Sequence, residues 1–306
     1  KIHFLSFGSN TGILKLIPGI DEIIPVKLTN PFSFLIDTIK TIFKLRKIRY
    51  DLVFDFEFFT YYSAIITGLI KAKYSVGFDN HKNKRSRLFS ETVMFNDHIH
   101  TRNNFMNLVL SICSDPVEEL NLINISPLKG IELEALPYIV INPNASKMAY
   151  ERRLPSGYFV KIIDELSAEG KYKVVLTGSD DEIEYVSAIY NKLKNKDNVA
   201  DLSGKLDVNE LVSLISDSLC LVTNDSGPLH IASALNKPVI AFYGPESPVR
   251  YGPLSTKQLV FYRALGCSPC MSISNSKTIN CLYSVPLCMT GFDINEIIIK
   301  TRKFIN

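Results

Sequence analysis

Thr223-Asn224-Asp225-Ser226-Gly227-Pro228-Leu229-His230, preceded by Leu219-Cys220-Leu221-Val222 and followed by Pro238-Val239-Ile240-Ala241-Phe242-Tyr243-Gly244-Pro245, reads as strand, polar turn, helix, strand and glycine loop. The run 219–222 is continuously apolar, as a strand buried on both faces of a parallel sheet must be. Asp225 and Ser226 suit the cap of a helix starting near Pro228, because short polar side chains accept the N–H groups of a first turn and proline has none to leave unsatisfied. The free amides at such a helix start, with the positive end of its dipole, hold a phosphate or pyrophosphate. Gly227 lets the backbone approach that anion closely, and His230 stands in the first turn, within reach of it.

Outward from this stretch the chain alternates strands and helices in two series. In the first, strands at 2–7, 22–26, 52–56 and 74–77 alternate with helices at 10–16, 31–47, 60–71 and 102–112. In the second, strands at 138–142, 172–177, 199–202, 219–223, 238–243 and 258–262 alternate with helices at 155–169, 182–194, 208–216 and 228–235. Strict alternation predicts an α/β protein whose parallel sheets carry helices on both faces. Residues 126–137 hold two prolines and a glycine without periodicity, which suits a linker between domains at 1–127 and 137–306. In such doubly wound domains, ligands sit at the carboxyl ends of the strands.

The composition is that of an ordinary globular protein: 306 residues, 46% hydrophobic and 21% charged, long enough for two cores. A net charge of +3 is too small to argue for nucleic acid as a partner. The first third nonetheless gathers Lys40, Lys44, Arg46, Lys47, Arg49, Lys71, Lys73, Lys82, Lys84, Arg85 and Arg87. Two readings stay open for these cations, a solvated face or an electrostatic footprint for an anionic partner such as an acidic lipid surface or a phosphorylated glycolipid. The longest uncharged apolar stretch, 58–70, falls short of the roughly 20 residues that span a bilayer, so work in an aqueous compartment is expected. The chain opens on Lys1 and directly on a strand pattern, which reads as a sequence lacking an N-terminal piece.

The segment 223–230 with its Tyr243-Gly244-Pro245 loop closely resembles the donor-site signature of the ADP-heptose:lipopolysaccharide heptosyltransferase family, T-N-D-[ST]-G-x-x-H, a strand, then [FY]-G-P. A second segment agrees: Asn142-Pro143-Asn144-Ala145-Ser146, then Arg152-Arg153-Leu154-Pro155, resembles the family's loop after the first strand of the C-terminal domain. There a Lys or Arg precedes an aromatic-Pro helix start, and Leu154 replaces the usual Trp. The resemblance implies the GT-B fold, two Rossmann-like domains facing across a cleft, with the last helix, 293–304, packing back toward the first domain. It also implies an inverting, metal-independent glycosyltransferase that moves a heptose or related sugar from an ADP-linked donor to a lipopolysaccharide core or envelope-glycan acceptor. The enzyme would be cytoplasmic, in peripheral contact with the inner face of the inner membrane. Two alternatives stand beside it: a GT-B transferase using a UDP- or GDP-sugar, and a non-catalytic nucleotide-sugar-binding protein.

In sugar transfer the acceptor hydroxyl attacks the anomeric carbon while the diphosphate leaves, so the enzyme must stabilise charge on the leaving phosphate. Arg152 is the candidate for that role, with Arg153 as the other choice. Ser146 and Ser226 would add hydroxyl bonds to the phosphates, and the amides of Ser226 and Gly227 would complete the cradle. By the resemblance, Asp225 lies beside the donor sugar, although capping the helix is an equally physical task. Glu182 aligns with a carboxylate that binds ribose hydroxyls in the family. Asp55 and Glu57 share a face at the end of the strand 52–56, where they could meet acceptor hydroxyls. The family's general base is an Asp in a Gly-rich loop after the very first strand. No such run exists here, and the strands at 2–7 and 22–26 resemble the family's second and third, which places the base upstream of Lys1.

Cys267, Cys270, Cys281 and Cys288 form C-x2-C-x10-C-x6-C, a clustering that leaves three states open: a structural zinc, a disulfide, or free thiols in a lid loop. Relatives in the resembled family carry a Cys-Ser-Pro-Cys segment here. Transfer itself is expected to need no cofactor.

Overall fold

The computed structural model describes residues 1–79, 84–114, 125, 136–145, 149–272, 279 and 281–306. Ser146, Lys82 and nearly all of the linker expected at 126–137 lie outside these residues. The chain divides into two compact units, Lys1–Leu120 and Asn121–Asn306.

The second unit is built on one parallel sheet. Its elements run β6 (Tyr138–Asn142), α5 (Ser156–Ser167), β7 (Lys173–Leu176), α6 (Ile183–Asn191), β8 (Val199–Asp201), α7 (Val208–Asp217), β9 (Cys220–Asn224), α8 (Gly227–Ala234), β10 (Val239–Tyr243), α9 (Pro248–Tyr251), β11 (Gln258–Tyr262), α10 (Leu287–Thr290) and α11 (Ile294–Ile305), numbered in chain order through both units. The strand order is β11-β10-β9-β6-β7-β8, every neighbour parallel. The order reverses between β6 and β9, the switch point where open α/β sheets bind ligands.

Alternation explains the core. Ile139, Ile141, Val174, Leu176, Val222, Ile240 and Phe242 point to one face, against Phe159, Ile162, Ile163 and Leu166 of α5 and Val186 and Ile189 of α6. Their neighbours Tyr138, Val140, Val175, Leu221, Val239, Ala241 and Tyr243 point to the other, against Leu214, Ile215, Leu229 and Ala232 of α7 and α8. With both faces covered, every residue of β6, β9 and β10 is buried. Phe159→Ala would remove the largest side chain that α5 buries, at a cost of about 3–5 kcal/mol.

Local chemistry sets the helix ends. Asp207 and Glu210 close a capping box at the start of α7. Beyond α8, Asn236 adopts φ 51°, and its Oδ1 accepts from the Thr256 amide and hydroxyl. α11 lies on α5 of its own unit: the Tyr158 hydroxyl donates to the Thr290 and Phe292 carbonyls just before α11, and Arg302 pairs with Glu165 and Glu169.

The first unit comprises β1 (His3–Phe7), α1 (Thr11–Leu14), β2 (Glu22–Val26), α2 (Pro31–Leu45), β3 (Tyr50–Asp55), α3 (Tyr62–Leu69), β4 (Ala72–Asp79), β5 (Glu91–Met94) and α4 (Thr101–Leu110). The alternation predicts one parallel sheet, but among the described residues there are two, β1-β2 and β3-β4-β5, each internally parallel. Side chains rather than backbone ladders join them. The His3 ring stands edge-on to Tyr50, with Nδ1 3.1 Å from the hydroxyl. Ile24, Leu45 and Ile66 form a shared apolar cluster. Phe58, Phe78 and Phe95 pack together in the same unit.

Candidate functional site

At the switch point, β9 ends in Asn224 and α8 begins at Gly227, with Ser226 as its extended N-cap. Capping by side chains, expected of Asp225 and Ser226, does not occur. The Ser226 hydroxyl lies 2.9 Å from that of Thr223, and the Asp225 carboxylate turns to Arg152. No side chain caps the opening amides of α8, although the Leu229 N–H donates to the Ser226 carbonyl within the first turn. A Cβ built on exposed Gly227 would meet nothing within 4 Å, so the space in front of these amides is open. His230 is exposed in the first turn of α8.

Arg152 ends a short 3-10 turn, Tyr150–Arg152, and its Nη1 donates to Asp225 Oδ2 at 2.8 Å. Their side chains are 14% and 6% exposed. This settles which arginine of the doublet faces β9. Arg153 is held elsewhere, its guanidinium between the rings of Tyr150 (4.5 Å) and Tyr185 (4.3 Å) and 3.7 Å from Glu182. Such stacking suits a planar guanidinium and immobilises it. The other Glu182 oxygen accepts the Ser179 amide in a capping box, so that carboxylate already serves the start of α6.

Asn224 ties the site together. Its Nδ2 donates to the Pro143 and Asn144 carbonyls, and its Oδ1 accepts from the Leu154 amide. The ends of β6 and β9 and the turn bearing Arg152 are thus fixed to one another. Asn142 and Asn144 both donate to the Thr177 carbonyl at the end of β7. Behind Asp225, burial pushes the Tyr243 hydroxyl well above its ordinary pKa, with the charge of Asp225 adding to the effect. Tyr243 remains a neutral phenol that donates to the Tyr251 carbonyl.

The four thiols line one pocket of about 270 Å³ with Glu151, Pro245 and Leu287. None of the four is in a disulfide; Cys281 is exposed and Cys288 is buried in the apolar core. Among the described residues no three His, Cys, Asp or Glu side chains are arranged to hold a metal. The thiol loop packs directly on the glycine loop after β10. The Cys270 and Met271 amides donate to the Pro245 carbonyl, and a Cβ on Gly244 would lie 2.5 Å from Met289 Sδ and 2.9 Å from Cys288 Sγ.

In the first unit, Asp55 is 5% exposed and internally engaged. It accepts from Arg85 Nη2 at 2.9 Å, from the Ser63 hydroxyl and from the Glu57 amide. Burial raises its pKa, partly offset by Arg85. Glu57 Oε1 accepts the Phe58 and Phe59 amides. Both carboxylates expected to meet an acceptor thus also accept hydrogen bonds from within their own unit. The sequence reading counted Arg85 among cations open to solvent or to an anionic partner; the structure buries it against Asp55, 30 residues away in the chain.

Parallel strands alternating with helices, in two units of one chain, are the architecture of the GT-B fold. Residues 39–279 match glycosyltransferase family 9 (heptosyltransferase), and the chain belongs to that family. The structure is similar to that of the glycosyl transferase family 9 protein from Veillonella parvula, at TM-score 0.78 and 19% identity over 99% of this chain and 88% of that one. It is also similar to that of E. coli heptosyltransferase WaaC with ADP, at TM-score 0.73 and 17% identity over 99% and 90%. In sequence it is 39% identical to lipooligosaccharide heptosyltransferase 2 of Haemophilus influenzae over 111 residues, 36% of this chain and 32% of the relative. That match spans about a third of the relative's length.

Proposed function

We propose that this chain transfers a heptose from an ADP-linked donor to a lipopolysaccharide-core or related envelope-glycan acceptor, with inversion at the anomeric carbon. The observation that carries the proposal is the Arg152–Asp225 pair beside the open first turn of α8, at the sheet's switch point. Family membership supports heptose as the sugar, and the ADP in a structure with the same fold supports the nucleotide.

In this mechanism the acceptor oxygen bonds to the anomeric carbon as the bond to the diphosphate breaks. The electron pair leaves with the phosphate, where Arg152 and the amides of Ser226 and Gly227 stabilise it in a preorganised site. A carboxylate beside a diphosphate would repel it. Paired with Arg152, Asp225 is neutralised, aims the guanidinium and contacts the donor sugar. Glu182 reaches the ribose hydroxyls from the start of α6. The acceptor proton passes to a general base, which the family resemblance implies is an aspartate, and the transfer requires no metal.

Calorimetric titration of ADP, UDP and GDP into the folded chain and into Asp225→Ala tests this reading. ADP binding that the variant loses supports it. Preference for UDP or GDP transfers the site to another donor, and a folded chain that binds none of the three overturns the assignment.

A further inference from the structure

In the sheet, β6 lies between β9 and β7, and the 3-10 turn after it ends in two successive arginines that part to either side. Arg152 reaches the end of β9 and pairs with Asp225, while Arg153 reaches the loop after β7 and stands 3.7 Å from Glu182. Each cation meets one carboxylate delivered by a neighbouring strand. The ends of β9 and β7 are two strand spacings apart, about 10 Å. A ligand lying across them meets the open first turn of α8 at one end and Glu182, at the start of α6, at the other.

The way Arg153 is held sets it apart from a phosphate ligand. Its guanidinium has the Tyr150 ring at 4.5 Å and the Tyr185 ring at 4.3 Å, and stacking of this kind fixes a planar group without using its N–H bonds. The buried Nε has no hydrogen-bond partner among the described residues. At 3.7 Å the contact with Glu182 is an ion pair and no hydrogen bond. Glu182 therefore keeps acceptor capacity. Its Oε2 takes the Ser179 amide, but among the described residues Oε1 accepts no hydrogen bond. An ionised carboxylate offers about four lone-pair sites and no donor, so Oε1 suits a pair of hydroxyl groups. The two side chains are only 17% and 18% exposed, so their charges offset each other with little screening. Without Arg153, the Glu182 charge would repel a ligand that carries phosphates.

We infer that Arg153 is a positioning residue: clamped by Tyr150 and Tyr185, it neutralises Glu182 and aims Oε1 at the two hydroxyls of a ribose, which makes the site select ribonucleoside diphosphates over their deoxy forms. The inference rests on the reading of this site as one for a nucleoside diphosphate sugar. It also explains why the doublet holds two arginines with different surroundings, one for the phosphate end and one for the ribose end.

The test is calorimetric titration of ADP and of 2′,3′-dideoxy-ADP into the whole chain. The parent should bind ADP more tightly by about tenfold or more, the value of hydrogen bonds to a charged acceptor. Arg153→Met keeps the length of the side chain and loses its charge, and should bring the two affinities within about threefold of each other. Tyr185→Leu leaves both charges in place and opens one side of the clamp, so it should lower the ratio as well. Arg152→Ala should weaken both nucleotides alike and keep the ratio, because it acts on the phosphates. A residue serving stability alone would lower the melting temperature and move both affinities together. If folded Arg153→Met and Tyr185→Leu retain the full preference for ADP, the inference is overturned and the nucleotide assignment stands. Equal binding of the two nucleotides by the parent overturns it in the same way. A parent that binds neither refutes the donor-site reading and the inference with it.

Discussion

Arg152→Ala separates a structural ion pair from one that serves a ligand. The substitution removes a 2.8 Å charge-assisted bond and leaves Asp225, 6% exposed, without its cation. Breaking a fully buried pair by deleting one partner costs about 3–5 kcal/mol. Arg152 keeps 14% of its side chain in water, which lowers the expected loss to about 2–3 kcal/mol. In a unit of this size that corresponds to a melting temperature lower by about 5–10 °C. If Arg152 also meets the diphosphate, ADP affinity falls by a further and separate amount, about 2 kcal/mol or roughly 30-fold. The double variant Arg152→Ala with Asp225→Ala divides the two effects. Stability should recover in part, since no orphan charge remains, whereas ADP affinity should be no better than in either single variant. Calorimetric titration beside thermal melts of the four proteins provides the cycle. ADP affinity within twofold of the parent in Arg152→Ala, with the melting temperature still lowered, would refute the ligand role and leave the pair purely structural.

Gly227→Ala tests the amide cradle. The open space around its Cβ and the helical backbone predict unchanged or slightly higher stability, by up to about 1 kcal/mol, together with weaker ADP binding. Full ADP affinity would mean that no phosphate approaches there. Cys270→Ser should lower the melting temperature more than it slows transfer, because a hydroxyl is costlier to desolvate than the half-buried thiol it replaces; the reverse pattern in a coupled assay would contradict this. Alkylation by iodoacetamide at pH 8 should spare Cys220 and Cys288, whose thiols burial raises to about 12 and about 11, and should modify exposed Cys113 and Cys281. Rapid labelling of Cys288, read by mass spectrometry, would show that its pocket opens.

Much of the second unit is legible in the sequence because its central strands are buried on both faces, and such strands read as unbroken apolar runs. β5 escaped notice for the opposite reason. Glu91–Met94 is four residues long with polar Glu91 and Thr92, and it lies half-exposed at the edge of its sheet. The segment 223–230 likewise marked the turn between β9 and α8, since capping types, glycine and proline are local signals. The division of labour between Arg152 and Arg153 was not readable. It depends on which way a short 3-10 turn points and on Tyr185, which α6 delivers from 32 positions further along. The split of the first unit into two sheets was hidden as well, because periodicity identifies strands without saying which of them pair.

Asn224 joins two strand ends and the arginine-bearing turn through three hydrogen bonds. That order is established when the protein folds, so a ligand arriving at the switch point finds these pieces already held and loses little freedom in organising them. A shortened or apolar side chain at position 224 would therefore act without touching any ligand. Its signature would be a less favourable binding entropy and a slower approach to the bound form, as the freed pieces search for the arrangement that one amide had kept in place.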